Sequence, residues 1–170
     1  MALRRIVTYG TPVLRQRTRE VANLNGELQQ LIDDMVETMY AAPGVGLAAN
    51  QVGSTHRLFV ANPADDHDPS KLLVVINPEI VESDGEFAHE EGCLSIPEFR
   101  EEVGRARRVL LRGLDRHGKP IEVDGEDLLA RIFQHEMDHL DGLFFVDRLS
   151  PAKRDILVRK LKKVFLHPAA

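Results

Sequence analysis

The stretch Gln134-His135-Glu136-Met137-Asp138-His139-Leu140 decides how the rest of the chain is read. Side chains at i and i+4 of a helix lie one above the other, so His135 and His139 share a face. Two imidazoles placed in this way can hold one metal ion, and the intervening Glu136 can then act on a water at that ion. The competing reading is a chance pair on a solvated helix. Against it stands the largely apolar run Leu128-Leu129-Ala130-Arg131-Ile132-Phe133 just upstream, which predicts a partly buried helix. Buried histidines flanking a carboxylate need partners, and a metal supplies them.

A catalytic metal takes three protein ligands and keeps one position open. One class of H-E-x-x-H peptidases draws its third ligand from a histidine six residues after the second. Here that position is Phe145, and Gly142 alone survives from that pattern. Another class uses a downstream glutamate. No Glu follows Glu136, and beyond the motif the only later carboxylates are Asp141, Asp147 and Asp155. Cys93, the one thiol in the chain, is the strongest candidate, because a thiolate binds such ions tightly. His56, His67, His89, His117 and His167 stay open. His89 leads them, lying four residues before Cys93.

The whole chain sets the frame for this site. With 43% hydrophobic and 29% charged residues among 170, it holds enough apolar material for one domain with a sizeable core, and too much for disorder. A net charge of −5 argues against coating nucleic acid as the main role, and no sequence-specific nucleic-acid binding is expected. No apolar run approaches the roughly 18–20 residues of a membrane span. Residues Met1 to Gly10 include Arg4 and Arg5 but no long apolar run, so no signal peptide is read there. A single cysteine cannot form an intramolecular disulfide, which fits a reducing, cytoplasmic setting.

Along the chain, Thr11 to Arg17 reads as a short helical turn opened by Pro12. From Gly26 to Ala42 the apolar residues recur at three and four, predicting an amphipathic helix that Pro43 and Gly44 end. The next stretch, Gly44-Val45-Gly46-Leu47-Ala48-Ala49-Asn50-Gln51-Val52-Gly53, superficially matches a dinucleotide fingerprint, but it follows a helix where that motif must follow a strand. Its small residues instead let backbone approach something closely. It reads either as a tight turn or as the wall of a cleft, with Gln51 as its one long donor and acceptor. Strands are predicted at Arg57–Asn62, Leu72–Val81, Glu86–Glu91, Arg100–Val103, Arg107–Leu114 and Pro120–Val123, with a hairpin turn at Asp115–Gly118. The histidine helix is expected to open at Asp124 or Gly125 and to close at Gly142. A last helix, about 151–166, begins at Ser150-Pro151 and carries a stripe of Leu157, Leu161, Val164 and Phe165. Between 150 and 170 there are six basic residues against one acidic, so this tail is strongly cationic in an acidic chain. The expected architecture is one α+β domain over 1–170, with short, mainly antiparallel sheets around the histidine helix.

Three motifs, Gly44 to Gln51, Glu91-Gly92-Cys93-Leu94-Ser95 and His135-Glu136-Met137-Asp138-His139, together resemble the signature of the peptide deformylase family, in order and at similar spacing. The resemblance extends over essentially the whole chain and is to the bacterial form with a carboxy-terminal helix. It implies metal-dependent removal of the formyl group from N-formylmethionine of nascent polypeptides, releasing formate. By the same resemblance, Cys93, His135 and His139 hold the metal, Glu136 moves the proton, and Gln51 with the Leu94 N–H faces the oxyanion. Val45, Gly46, Leu128 and Ile132 line the methionine pocket. The implied metal is Fe2+, with Zn2+, Ni2+ or Co2+ able to substitute, and the implied partner of the basic helix is the ribosome. Glu91 and Asp138 are expected to orient ligands or to pair with an arginine near residues 100–108. A zinc endopeptidase lacks the usual third ligand here, and a non-catalytic binding module needs neither Glu136 nor Gln51.

Overall fold

The structure, a computed structural model, describes residues 2–166. His167, one of the histidines left open above, lies outside the described residues. Helix α1 (Gly26–Ala41) is capped by the Asn25 side chain, which accepts from the Leu28 N–H. Seven strands follow: β1 (Gly46–Ala48), β2 (Leu58–Ala61), β3 (Leu73–Asp84), β4 (Phe87–Cys93), β5 (Ile96–Arg105), β6 (Arg108–Leu114) and β7 (Pro120–Glu126). Helices α2 (Leu128–Leu140) and α3 (Pro151–Leu161) complete the order, with a π turn at Lys162–Leu166. The strands form one five-stranded sheet, β1-β2-β3-β6-β7, and one hairpin, β4-β5, and all their pairings are antiparallel.

Strand β2 shows why the sheet sits at the centre. Alternate side chains of a strand point to opposite faces. Leu58 and Val60 accordingly join the core under α1, with Leu31, Ile32, Met35 and Met39. Phe59 and Ala61 join the core under α2, with Ala130, Phe133, Met137 and Leu140. A strand buried on both faces has no polar residue to give, and Leu-Phe-Val-Ala has none. A third cluster seats α3 through Leu157 and Leu161 against Leu14, Ile96 and Phe145.

Helix α2 is thus enclosed between the sheet and the β4-β5 hairpin. It opens later than the sequence predicts, at Leu128, because β7 stays paired with β6 as far as Glu126. Asp127 turns the corner with φ of 52° and no side-chain cap. Its end falls where expected: Gly142 has φ of 80°, and a Cβ there would stand 2.5 Å from the Arg15 carbonyl oxygen. β3 and β5, at 12 and 10 residues, also outrun their predicted ends. In the last helix the predicted stripe breaks at Val164, which is 52% exposed, because the π turn rotates it away from Leu161.

Candidate active site

Two segments bring the motifs to α2. The first is the run from β1 through the single turn Ala49–Val52, and the second is the end of β4 with the turn to β5. The amino-terminal segment ties them together: the Val7 N–H donates to the Gln51 carbonyl at 2.8 Å, and the Tyr9 N–H donates to the Ser95 carbonyl at 2.9 Å. Asn50, fully buried, donates its side-chain amide to the His139 carbonyl and so fixes the first segment to the end of α2.

Cys93, His135 and His139 converge, with one donor atom from each lying within 4.8 Å of the others. Cys93 Sγ is 3.2 Å from His139 Nε2, and that nitrogen is 3.2 Å from His135 Nε2. Around one tetrahedral zinc-like ion, thiolate and imidazole ligand atoms stand about 3.3–3.6 Å apart. The donor set therefore fits a cation with little rearrangement. Burial, followed by the charge of neighbouring His135, holds His139 well below the usual imidazole range, which favours the neutral form a metal needs. Among the described residues no other group of this kind forms. His89 is not part of it; its ring contacts Arg131.

A buried ion network orients the ligands. His135 Nδ1 meets Glu91 Oε1 at 3.0 Å, leaving Nε2 to face the cluster. Arg105 then bridges Glu91, at 2.8 and 2.9 Å, to Asp138 at 2.7 Å, and Arg148 closes on Asp138 at 2.6 Å. Burial alone would raise the Glu91 carboxyl, but the hydrogen bonds and charges of Arg105 and His135 outweigh it and bring it down to about 2. The sequence narrowed the partner to an arginine near residues 100–108, and it is Arg105. The readable signal was period two in β5: Val103 is apolar and points inward, so Arg105 points inward as well.

Glu136 is held differently. It is 4% exposed, and its Oε1 has no hydrogen-bond partner among the described residues. Burial, opposed by the charge of His135, pushes its carboxyl up to about 7. Gly46 presses against it: a Cβ there would stand 2.6 Å from Glu136 Oε2 and 3.1 Å from Ile132 Cγ2. Gln51 Oε1 accepts from the Ala48 N–H at 3.0 Å, while Nε2 donates to Ser95 Oγ at 3.1 Å and lies 3.7 Å from Cys93 Sγ. A cleft of about 640 Å³ opens over these groups, lined among others by Val45, Gly46, Gln51, Leu94, Ile132 and Glu136. Leu128, one turn before Ile132 and 37% exposed, is not part of that lining.

Residues 3–155 match the sequence family described as polypeptide deformylase. The chain belongs to the peptide deformylase family. A peptide deformylase of Thermodesulfovibrio yellowstonii is 48% identical over 162 residues, covering 95% of this chain and 98% of that protein. The crystal structure of a peptide deformylase from Legionella pneumophila superposes with a TM-score of 0.88 at 48% identity, covering 96% and 95% of the two chains. That of the Ehrlichia chaffeensis peptide deformylase in complex with actinonin gives 0.88 at 36% identity, covering 97% and 99%. Peptide deformylases are metal-dependent enzymes that remove the N-formyl group from nascent polypeptides, and this membership assigns that hydrolysis to the chain. Among the described residues no helix is long and apolar enough to cross a membrane.

Proposed function

We propose that Cys93, His135 and His139 hold the catalytic cation, Fe2+ in the native enzyme, with Zn2+, Ni2+ or Co2+ able to replace it. The observation that carries this assignment is the convergence of those three donors beside a buried carboxylate, one oxygen of which has no partner among the described residues. When bound, such an ion polarises a carbonyl and brings the pKa of a water toward ~7.

The remaining chemistry belongs to the chain's own side chains. Glu136 accepts the proton of the attacking water and returns it to the leaving amine. Gln51 Nε2 and the Leu94 N–H donate to the formyl oxygen as it gains charge, and losing one such donor costs about 100–1,000-fold in turnover. Val45, Gly46 and Ile132 enclose the methionine side chain, with Leu128 at the outer edge of the same helix face. Residues 1–170 act as one functional domain, working in the cytoplasm on N-formylmethionyl peptides. The basic helix α3 contacts the ribosome by its phosphates. Lys153 and Arg154 already face Glu101 and Asp147, but Arg159, Lys160, Lys162 and Lys163 are exposed without an ion pair among the described residues.

Formate release from formyl-Met-Ala-Ser tests the assignment, using anaerobically purified Fe2+ protein beside a Zn2+-loaded sample. Release with Fe2+, together with loss of both metal and activity in Cys93→Ala, is expected. Full metal content in Cys93→Ala would overturn the ligand set, and no formate with either ion would overturn the proposed chemistry. Reversing Arg159, Lys160, Lys162 and Lys163 to Glu should lower ribosome cosedimentation in a salt-sensitive way. Undiminished cosedimentation would remove the ribosome contact.

A further inference from the structure

Arg131 lies one turn before His135 on α2 and lines the same cleft. Its guanidinium touches the ring Nδ1 of His89 and the Glu90 carbonyl, the latter at 3.3 Å. Neither partner is a carboxylate, and Arg131 makes no ion pair among the described residues. Its neighbours differ. Arg100 is paired with Glu90 at 2.7 Å, and Arg105 is paired with both Glu91 and Asp138. Partial burial, with the charges of Arg100 and Arg105 nearby, works against the cation, and only Glu91 favours it. A guanidinium offers five donors in a planar fork matched to a carboxylate. Among the described residues no carboxylate takes up this fork.

We infer that Arg131 is a specificity-determining residue that favours formylated peptides with an acidic side chain one or two residues after the methionine. The inference rests on the deformylase reading given above. Distance along the hairpin sets the position. Arg131 meets β4 at His89 and Glu90, four and three residues before Cys93, so the guanidinium contacts the strand about 10–13 Å along it from that ligand, at ~3.3 Å per residue. An extended peptide advances about 3.3–3.6 Å per residue from the formyl group. With the reach of a Glu or Asp side chain added, the second and third residues come within range and the methionine does not. Of the acids that line the cleft, Glu90 and Glu91 are paired with Arg100 and Arg105, and Glu136 faces Gly46. Glu98, without an ion pair among the described residues, lies between the pairs Cys93↔Ile96 and Gly92↔Arg100, at the opposite end of the hairpin from His89.

The test compares kcat/KM for formate release by the metal-loaded enzyme on formyl-Met-Ala-Ser, formyl-Met-Glu-Ser, formyl-Met-Ala-Glu and formyl-Met-Lys-Ser. At least one acidic peptide should exceed the neutral one by about fivefold, the size of a good partly exposed ion pair. The gain should lie in KM, shrink with added salt, and be reversed in sign for the lysine peptide. In Arg131→Gln the acidic-to-neutral ratio should fall to about one, and Arg131→Lys should restore part of it. Equal kcat/KM for all four peptides in the wild type would overturn the inference, and so would an acidic preference that persists in Arg131→Gln. Formate from none of them would overturn the deformylase chemistry itself, and this inference with it.

Discussion

Two residues apart on α2, and so on nearly opposite sides of it, Glu136 and Asp138 are both buried carboxylates. Asp138 faces the hairpin and is gripped by Arg105 and Arg148. Glu136 faces the glycine-rich segment, where Gly46 leaves it just enough room and one oxygen has no partner among the described residues. One side of the helix has its charges matched by fixed cations. The other keeps a buried carboxylate whose Oε1 has no hydrogen-bond partner among the described residues. A buried carboxyl without hydrogen-bond partners costs free energy, so its retention on one flank marks a group kept for a ligand. The matched flank is what holds the histidines still while that happens.

The largest effect that could break this contrast is on turnover. Glu136→Gln should lower formate release by about 100–10,000-fold while metal content stays full and the urea midpoint does not fall. A fall in stability alongside activity would show that Glu136 is structural like Asp138. Next is Arg105→Met, which strands Glu91 and Asp138 without their shared cation. It should cost about 3–5 kcal/mol in urea unfolding, and a loss below 1 kcal/mol would show that the matched flank is not what supports the helix. Gly46→Ala pushes a methyl into the Glu136 carboxylate and should cost about 1–3 kcal/mol, with a drop in kcat as that carboxylate is displaced. Unaltered kcat would mean that the carboxylate need not stand where it does. The smallest effect is expected for Asn50→Ala, which removes a neutral tie at the far end of α2. About 1 kcal/mol of stability should go, read from the same unfolding curves.

Much of this was legible because periodicity and motif chemistry are local. The i,i+4 histidines, the amphipathic run of α1 and the glycine at the end of α2 all carry their reasons within a few residues. What could not be read depends on pairing across the chain. The late start of α2 follows from β7 keeping its register with β6 through Arg108↔Glu126, a constraint that Asp124 and Gly125 do not announce. Asn50 has no local reason to bond the His139 carbonyl, 89 positions away. The period of β5 singles out Arg105 from Arg100, Arg107 and Arg108, but that Arg105 joins Glu91 to Asp138 appears only when the hairpin packs on α2. Gly46 could be read as a close approach, but its target, the Glu136 carboxylate, appears only when β1 and α2 meet.

The threading of the amino-terminal segment has a consequence for how this molecule is made. Val7 and Tyr9 are synthesised well before the residues whose carbonyls they donate to, Gln51 and Ser95, and Cys93 meets His139 across 46 positions. Nothing short of a chain synthesised past Leu140 contains all the parts of the site. During its own translation the site stays incomplete until α2 has emerged, with the clamp waiting on residues that arrive much later.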